Sequence, residues 1–570
     1  MEHKVVFNFD GKEPIGKVQS VDTSTVVIRV IDSEMLSKVQ VNHMIVIRSS
    51  KLNQWLIGLV NKIMRKYGDD SDLAEGEEIA TSDIIKVTLI GTFLERDGIS
   101  ENVFKRTLES VPEIDADCFI MTEDIITDFM SIISNSNASV DNPLCIGKYA
   151  LNGEAKAYLD GNKLFQRHAV IAGSTGSGKS YTVATLIEQI ARLKSSNALV
   201  FDIHGEYEPI TGDGIKHFKI AGPSDVMGEG IIYLPYWLLT YEEMLSMMLD
   251  RSDNNAPNQA MIFSRTVLEK KKEYLISKGK TELSEIITID SPTPYDINLL
   301  KDRLEEINKE TVPGAKPNTT KAGDFNGKLS RFIQRLEAKI QDKRLNFIFS
   351  KEEELLEYNY INVLCKNLIT PKSNGGGVKI IDFSEVPSDI LPLIVSLIAR
   401  IVFSVQQWTD KEKINPIALF CDEAHLYIPN DAKQGVEMSS LNSFERIAKE
   451  GRKYGVGLVV ITQRPSEVNR TVLSQSNNFI AMRLTNADDQ SVVKKLMPDS
   501  IGNFAELLPI LDIGEALVVG DASLLPSRIK VKEPEKKPNS NTIKFWDVWS
   551  KDDSNDTIDQ AIEALRKQTK

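Results

Sequence analysis

The stretch "GSTGSGKS", residues 173–180, decides the fold. It fits the phosphate-binding pattern G-x-x-x-x-G-K-[ST], with Gly173, Gly178, Lys179 and Ser180 at the fixed positions. The apolar "HAVIAG" before it predicts a buried strand, and "YTVATLIEQIARLK" after it has helical periodicity. Backbone N–H groups at the start of a helix wrap phosphates, so this strand, loop and helix predict a nucleotide-binding site.

The whole loop is predicted to bind ATP, and its last hydroxyl is also a predicted Mg²⁺ ligand. The ATP-binding residues are Gly173, Ser174, Thr175, Gly176, Ser177, Gly178, Lys179 and Ser180. In this pattern the hydroxyl that follows the lysine meets the metal, which is the role of Ser180. The pattern alone does not say how the energy is used, because kinases, transporters, helicases and switches share it.

The composition is that of a globular chain with several domains. The 570 residues are 41% hydrophobic and 26% charged, which suits about two to four domains. We find neither a signal peptide nor an apolar run that could span a bilayer, and the four scattered cysteines form no CxxC pair. We therefore expect a cytoplasmic protein with no membrane association. The net charge of −13 argues against a general nucleic-acid coat, but a few cations could still grip DNA in a pore.

The patterning divides the chain into four parts. Short Val/Ile-rich segments predict a β-barrel in residues 1–100, followed by a connecting segment in 101–150. Strands alternate with helices in 151–530, with an inserted helical subdomain in 240–345. Residues 531–570 form a Pro/Lys-rich linker and a tail. The predicted fold class is α/β: a P-loop ATPase core with an N-terminal all-β barrel and a helical insertion.

The second strong signal is "IALFCDEAH", an apolar strand that ends in two carboxylates. Asp422 is placed to hold Mg²⁺, which prefers one or two carboxylates together with phosphate oxygens. Glu423 is the predicted catalytic base that polarises the water attacking the γ-phosphate. A "DE" pair after a strand is by itself more often a helix cap or a surface turn. Together with the complete phosphate loop, the catalytic interpretation is favoured.

Two further polar residues follow apolar strands. Gln463, after "VVIT", could sense the γ-phosphate, or it could only satisfy backbone groups in the turn before Pro465. Asp202, in "FDIHGEY", is expected at the sheet edge where open parallel sheets bind ligands. The alternative for Asp202 is a turn capped by its own carboxylate and Gly205.

The segment "ERIAKEGRKYG" places Arg446, Arg452 and Lys453 on a predicted helix and the turn after it. A charged helix is most often a solvated face. The alternative is that one arginine reaches the ATP site of a neighbouring subunit and stabilises charge that develops there.

Taken together, "GSTGSGKS", "DIHGEY", "LPYWLLTYEEM", "DEAH" and "EGRKYGVGLVVITQRPS" resemble the HerA family of hexameric DNA-translocating ATPases, which are related to the FtsK pumps. The resemblance implies a RecA/FtsK-like P-loop ATPase core. The N-terminal strands, from "GKVQSVDTSTVVIRV" onward, resemble the HAS barrel of that family. The resemblance covers about residues 1–545. The combination of "RKYGVG" and "TQRPS" after a phosphate loop is far more specific than the loop itself.

The resemblance implies a homohexameric ring with ATP between subunits and double-stranded DNA in a central channel. Arg452 matches the trans-acting arginine of the family, with Arg446 as second choice. Arg167 matches a cis-regulatory arginine near the nucleotide, and Asp202 matches a carboxylate of the same site. The tail, 531–570, resembles a segment that braces the adjacent subunit.

The resemblance also implies a partner on the barrel face. In archaea this partner is typically a NurA-like nuclease that acts in DNA-end processing. In bacteria, related ATPases are found beside sirtuin-like NAD-consuming proteins or nuclease effectors of antiphage systems. Two functions therefore stay open: an ATP-driven motor on DNA, and a ring scaffold that activates an effector while ATP hydrolysis is regulatory. A conjugative coupling ATPase is disfavoured, because such proteins usually carry N-terminal membrane helices.

Overall fold

The structure of the protein is a computed structural model. It describes residues 7–67, 81–95, 103–106, 108, 110–135, 143–150, 152–316, 318–497, 499–523, 525–540, 543–550 and 558–567.

The chain forms two compact units, and each combines segments that are distant in the sequence. The first unit comprises Met1–Leu186, Gln463–Ser466 and Ser476–Glu535. The second unit comprises Ile187–Thr462, Glu467–Gln475 and Lys536–Lys570.

The first unit begins with the predicted β-barrel. Its strands are β1 (Gly16–Asp22), β2 (Thr25–Val30), β3 (Met44–Arg48), β4 (Gln54–Tyr67), β5 (Thr81–Leu94), β6 (Val103–Lys105) and β7 (Asp117–Ile120). They follow the order β2-β1-β7-β3-β4-β5-β6, and β2 also pairs with β5. Six strands therefore close on themselves, and the barrel is confirmed. Closure leaves only β6 outside the ring, on the edge of β5.

The closing strand, β7, lies in the segment that the sequence assigns to a connector. It pairs antiparallel with both β1 and β3, with Gly16 opposite Cys118 and Ile45 opposite Ile120. The sequence also predicts a strand at "KVVFNF", residues 4–9. Residues 4–6 lie outside the described residues, and residues 7–9 are not a strand. Phe7 and Phe9 instead contribute rings to an aromatic cluster in the barrel core. The apolar residues of this segment predicted a strand, whereas contacts with distant segments place both rings in the barrel core.

The chain then enters the segments around the phosphate loop. These are α1 (Glu123–Asn135), β8 (Leu144–Tyr149), β9 (Asn152–Leu159), α2 (Gly161–Gln166), β10 (Ala169–Ala172) and α3 (Lys179–Ala191). The strand and helix predicted on either side of the loop are therefore present.

The second unit contains a mainly parallel sheet. Its strands are β11 (Ala198–Asp202), β12 (Ile215–Ile220), β13 (Ile231–Ile232), β16 (Val378–Asp382), β17 (Ile417–Cys421) and β18 (Val456–Thr462), besides the short β14 (Thr311–Pro313) and β15 (Thr320–Ala322). The order is β13-β12-β16-β11-β17-β18, with every neighbouring pair parallel. All five residues of β11 and of β17 are buried, as expected for strands covered on both faces.

Helices cover this sheet and build the insertion. They are α4 (Tyr241–Met248), α5 (Ala256–Ser277), α6 (Thr281–Ile286), α7 (Ile297–Lys309), α8 (Ser330–Gln341), α9 (Asn346–Phe349), α10 (Tyr360–Ile369), α11 (Leu391–Trp408), α12 (Val436–Glu450) and α13 (Arg470–Gln475). The predicted insertion, 240–345, is helical from α4 to α8. It also contains a small antiparallel hairpin, β14–β15, which sequence analysis did not predict.

The chain returns to the first unit for three strands and a helix, and ends with two helices of the second unit. These are β19 (Asn478–Met482), α14 (Ala487–Leu496), β20 (Glu515–Gly520), β21 (Ser527–Val531), α15 (Phe545–Trp549) and α16 (Ile558–Lys567). In the first unit the order is β10-β19-β20-β21-β8-β9. The β10–β19 pair is parallel and the following pairs are antiparallel.

Helix α11 corrects one expectation from the sequence. Its 18 residues are long and apolar enough, by length and composition alone, to cross a membrane, although no such run was expected. Most of the helix is buried inside the second unit, where it packs beside α12. It is the core helix of that unit, and its apolar character follows from burial on nearly all sides.

A buried ion pair joins the insertion to α11. Thr240 and Glu243 form a capping box at the start of α4. The Glu243 carboxylate, only 2% exposed, also receives the guanidinium of Arg400 at 2.7 and 2.8 Å. Arg400 donates in addition to the carbonyl of Leu238 at 2.8 Å. The carboxylate of Glu243 is therefore buried, and both of its oxygens accept hydrogen bonds from Arg400.

Arg400→Met should lower the free energy of unfolding by about 3 kcal/mol or more, because the carboxylate of Glu243 is left buried without its cation. The matched control is Lys413→Met, which breaks a pair with Asp410 whose side chains are 78% and 75% exposed. That change should stay below about 1 kcal/mol. Urea unfolding of both variants checks this, and equal losses would contradict it.

Candidate nucleotide-binding site

The phosphate loop adopts a backbone that its two pattern glycines permit. Gly178 has φ +107°, a conformation that L side chains rarely adopt. A Cβ there would lie 3.0 Å from Met482 Cε and 3.2 Å from the Cα of Gly514. At Gly173, a Cβ would lie 2.5 Å from the Oγ of Ser177. Gly178 is therefore favoured by both its backbone conformation and a close approach, and Gly173 by a close approach alone.

Hydrogen bonds fix both ends of the loop. The N–H of Ser174 donates to the carbonyl of Arg483 at 2.8 Å, and the N–H of Ser177 donates to the carbonyl of Ser174 at 3.1 Å. Lys179 is buried where α3 begins. The result is a tight turn followed directly by a helix N-terminus, the arrangement that binds phosphate groups through backbone N–H groups.

Gln463 contacts this loop. The hydroxyl of Thr175 donates to its Oε1 at 2.5 Å. The side chain of Gln463 is therefore hydrogen-bonded to the phosphate loop. The alternative interpretation, in which Gln463 only satisfies backbone groups in the turn before Pro465, did not include this bond. A γ-phosphate-sensing role for Gln463 stays a prediction.

In the second unit, carboxylates gather at the ends of adjacent parallel strands. Asp202 is the last residue of β11 and stands opposite Asp382, the last residue of β16. Asp422 and Glu423 follow the last residue of β17 directly. Because β16, β11 and β17 are neighbours and run in parallel, their carboxyl ends share one edge of the sheet. Sequence analysis did not single out Asp382.

Asp202 caps the turn that follows it. Its carboxylate accepts the N–H groups of Glu206 and Tyr207, each at 2.9 Å, and Gly205 takes a left-handed conformation with φ +70°. The structure therefore contains the capped turn considered as the alternative. Burial raises the pKa of Asp202 to about 7, opposed by these two hydrogen bonds and assisted by Asp382 and Glu206. A catalytic role stays a prediction.

Glu423 is buried in a conformation unusual for its residue type. Its backbone is left-handed, with φ 44° and ψ 44°, at an expected cost of about 1–3 kcal/mol. The N–H donates to Asp422 Oδ1 at 3.0 Å, and Oε2 lies 3.3 Å from Nδ1 of His425. The same nitrogen lies 3.4 Å from the hydroxyl of Thr462. His425 therefore touches both the carboxylate and the strand that precedes Gln463.

Tyr207 is a residue that sequence analysis missed. Its side chain is fully buried, and its hydroxyl has no hydrogen-bond partner among the residues that the structure describes. Burial is the main cause that raises its pKa well above the ordinary value, and Asp422 and Asp202 add to the rise. The sequence signal for this residue was the tyrosine of "DIHGEY". Sequence analysis selected only the aspartate of that segment, because the aspartate lies at the end of a strand, where ligand-binding residues are expected.

The two candidate arginines have different surroundings. Arg446 donates to Oε1 of Gln407 at 3.2 Å, lies over the ring of Phe403 at 5.1 Å and lies 3.8 Å from the carboxylate of Glu450. Arg452 is exposed, and within the described parts of the chain its guanidinium forms no hydrogen bond or ion pair.

Arg167 lies away from the phosphate loop of its own chain. It caps the C-terminus of α2, before β10, whereas the loop follows the other end of that strand. The extended strand separates the two by about 13 Å or more. The guanidinium forms an ion pair with Asp521, which also lies 3.7 Å from Arg106. A regulatory role for Arg167 near the nucleotide stays a prediction.

Each unit thus assembles part of the predicted set. The phosphate loop, Gln463 and Arg167 belong to the first unit. Asp202, Asp422, Glu423 and both candidate arginines belong to the second.

A phosphate loop between a strand and a helix, with a buried strand ending in Asp-Glu later in the chain, defines a P-loop ATPase. The chain matches the family described as "Helicase HerA, central domain" over residues 144–402. It matches "Helicase HerA-like C-terminal" over residues 368–540. The protein belongs to the HerA helicase family and is an ATPase.

Curated relatives agree with this assignment. The "DNA double-strand break repair helicase HerA" of Sulfolobus acidocaldarius is 27% identical over 398 residues, 68% of this chain and 68% of the relative. A "probable helicase" of Methanocaldococcus jannaschii is 28% identical over 414 residues, 72% of this chain and 71% of the relative.

Solved structures with a similar chain course include the bacterial conjugative coupling protein TrwB. It has a TM-score of 0.43 and 14% identity, over 74% of this chain and 94% of that chain. VirB4 of Thermoanaerobacter pseudethanolicus has a TM-score of 0.45 and 16% identity, over 69% of this chain and 96% of that chain.

The raised pKa of Asp202 has a consequence for stability. Between its ordinary value of 3.8 and about 7, the folded chain keeps a proton that the unfolded chain releases. The stability from that proton is complete below about pH 4 and is lost as pH rises through about 7. Asp202→Asn cannot titrate, so its unfolding free energy should fall less over this range than that of the wild type. Urea unfolding at several pH values tests this, and a pH-independent difference between the two proteins contradicts it.

Proposed function

We propose that this protein is an ATP-driven translocase on double-stranded DNA that acts as a homohexameric ring in the cytoplasm. The observation that carries the proposal is the phosphate loop tied to Gln463, in a chain that also carries the buried Asp422–Glu423 pair. Relatives named as DNA double-strand break repair helicases are 26–27% identical to this chain. They support DNA as the polymer along which the protein moves.

ATP hydrolysis follows from the chemistry of these groups. The backbone N–H groups of the loop and the ammonium of Lys179 hold the phosphates, and Glu423 accepts a proton from the attacking water. The hydroxyl of Ser180 and the carboxylate of Asp422 are oxygen donors of the kind that Mg²⁺ prefers, so the residues fit this metal. When bound, Mg²⁺ supplies positive charge to the phosphate oxygens. Gln463 reports the state of the γ-phosphate through its bond to Thr175.

Arg452 suits the role of a trans-acting arginine better than Arg446. Arg446 is engaged by Gln407, Phe403 and Glu450 of its own chain. The guanidinium of Arg452 is exposed and makes no ion pair or hydrogen bond with the described residues, so it is available to a neighbouring subunit. A group of this kind stabilises the charge that develops during phosphoryl transfer.

The tail supports assembly into a ring. Phe545, Trp546 and Trp549 of α15 are 60%, 81% and 70% exposed. Three large aromatic side chains on one short helix are an unfavourable surface for a free monomer. We propose that they cover an adjacent subunit. The barrel face then docks a nuclease or a sirtuin-like effector that acts in DNA-end processing or antiphage defence.

Glu423→Gln should keep ATP binding and lose nearly all hydrolysis, because the water loses its base, whereas Lys179→Ala should lose binding itself. Duplex DNA should stimulate the wild-type ATPase. The readouts are nucleotide binding, phosphate release with and without DNA, and light scattering with ATP and Mg²⁺. If DNA leaves hydrolysis unchanged while effector activity survives Glu423→Gln, the protein is a ring scaffold. A monomer under these conditions would exclude the ring.

Arg452→Ala should bind ATP and form rings, but should hydrolyse on the order of a thousandfold more slowly. Mixing it with Lys179→Ala should restore part of the activity, since each Arg452→Ala subunit keeps its own loop and borrows an arginine from its neighbour. Arg446→Ala is the matched control and should retain most activity alone. Mixed rings without recovery would refute a trans role for Arg452.

A further inference from the structure

A turn of the first unit lies directly against the phosphate loop. The N–H of Gly514 donates to the carbonyl of Ser177 at 2.8 Å. A Cβ on Gly178 would lie only 3.2 Å from the Cα of Gly514, so the two backbones pack with no side chain between them. Residues 511–514 form this turn, which we call the loop-facing turn. The loop-facing turn is therefore in direct backbone contact with the phosphate loop.

Residues of β20 and β21 hold the loop-facing turn through hydrogen bonds. The ammonium of Lys530 donates to the carbonyl of Ile513 at 2.6 Å, and the N–H of Val531 donates to the carbonyl of Gly514 at 2.8 Å. Oε2 of Glu515 accepts the N–H of Asp512 at 3.1 Å and the guanidinium of Arg528 at 2.7 Å. These bonds hold the turn in one conformation before any ligand arrives, which lowers the entropic cost of binding.

The turn and the residue before it expose two large apolar side chains. Ile510 is 69% exposed and Ile513 is 62% exposed. Leu508 and Leu511 of the same segment are buried, so they already supply its core contacts. The two isoleucines therefore present apolar surface outward rather than to the core.

We infer that Ile513, with Ile510 beside it, packs against the nucleobase of the bound ATP. This inference rests on the proposed binding of ATP phosphates to the loop. Once the loop holds the phosphates, the ribose and base must extend along a neighbouring surface, and the loop-facing turn is in direct backbone contact with the loop. The flat face of a purine is apolar and binds to apolar side chains. Contact through aliphatic surface selects for the presence of a base but discriminates weakly between adenine and guanine.

The test compares ATP with inorganic triphosphate, which carries the phosphates and no base. Binding is measured on the full-length chain with Glu423→Gln, so that ATP is not consumed. Ile513→Ala should weaken ATP binding about five- to tenfold, because one aliphatic side chain is truncated. Triphosphate binding should stay unchanged. Ile513→Leu keeps the apolar surface and should bind ATP nearly as the parent does.

The matched control is Ile286→Ala, which removes an isoleucine that is 76% exposed at the end of α6 in the second unit. It should change neither dissociation constant. Unchanged ATP binding in both Ile513→Ala and Ile510→Ala overturns the inference, as does an equal loss of ATP and triphosphate binding, which would indicate a deformed loop. A smaller assembly in light scattering, with unchanged ATP affinity, assigns the two isoleucines to a subunit contact instead. Failure of the parent to bind either ligand refutes the proposed function itself.

Discussion

The close approach of Gly178 to Gly514 is the contact on which the nucleotide-binding half of the molecule depends. Only a residue without Cβ combines φ +107° with a gap of this size, so the loop can lie flat against the turn before β20. The pattern glycine is usually explained by the space that a phosphate needs. Here the backbone of a segment more than 300 residues further along the chain sets the same requirement.

Strand register brings carboxylates together in the second unit. Parallel neighbours bring Asp202 and Asp382 to the same level of the sheet. Burial then makes negative charge costly there, which raises the pKa of Asp202. Glu423 adds strain, since it holds a left-handed backbone without being glycine. Strain of this kind persists only where the surroundings fix it, as the buried strand β17 and the contact with His425 do.

The chain itself connects these two sets of groups. Thr462, the last residue of β18, lies 3.4 Å from His425, which in turn lies 3.3 Å from Glu423. The next residue is Gln463, which receives the hydroxyl of Thr175 in the phosphate loop. Two consecutive residues, Thr462 and Gln463, thus contact His425 and Thr175 respectively. A role of the Gln463 amide in reporting hydrolysis stays a prediction.

The sequence by itself determined the phosphate loop, the helix and strand beside it, the "DEAH" strand and most strands of the parallel sheet. Each of these depends on residues close together in the chain, where spacing and periodicity carry the information. It also placed the barrel, because short apolar strands are a local signal.

Tertiary structure decided what depends on contacts between distant segments. β7 closes the barrel because it pairs with β1 and β3. The sequence of a four-residue segment does not indicate which strands it pairs with. Arg446 and Arg452 look alike in sequence, and only packing shows that Phe403 and Gln407 hold the first. Among the residues that the structure describes, the hydroxyl of Tyr207 has no hydrogen-bond partner, and only the fold buries it. Pairing, burial and the partners of a charge are properties of three-dimensional neighbours, so no local pattern in the sequence specifies them.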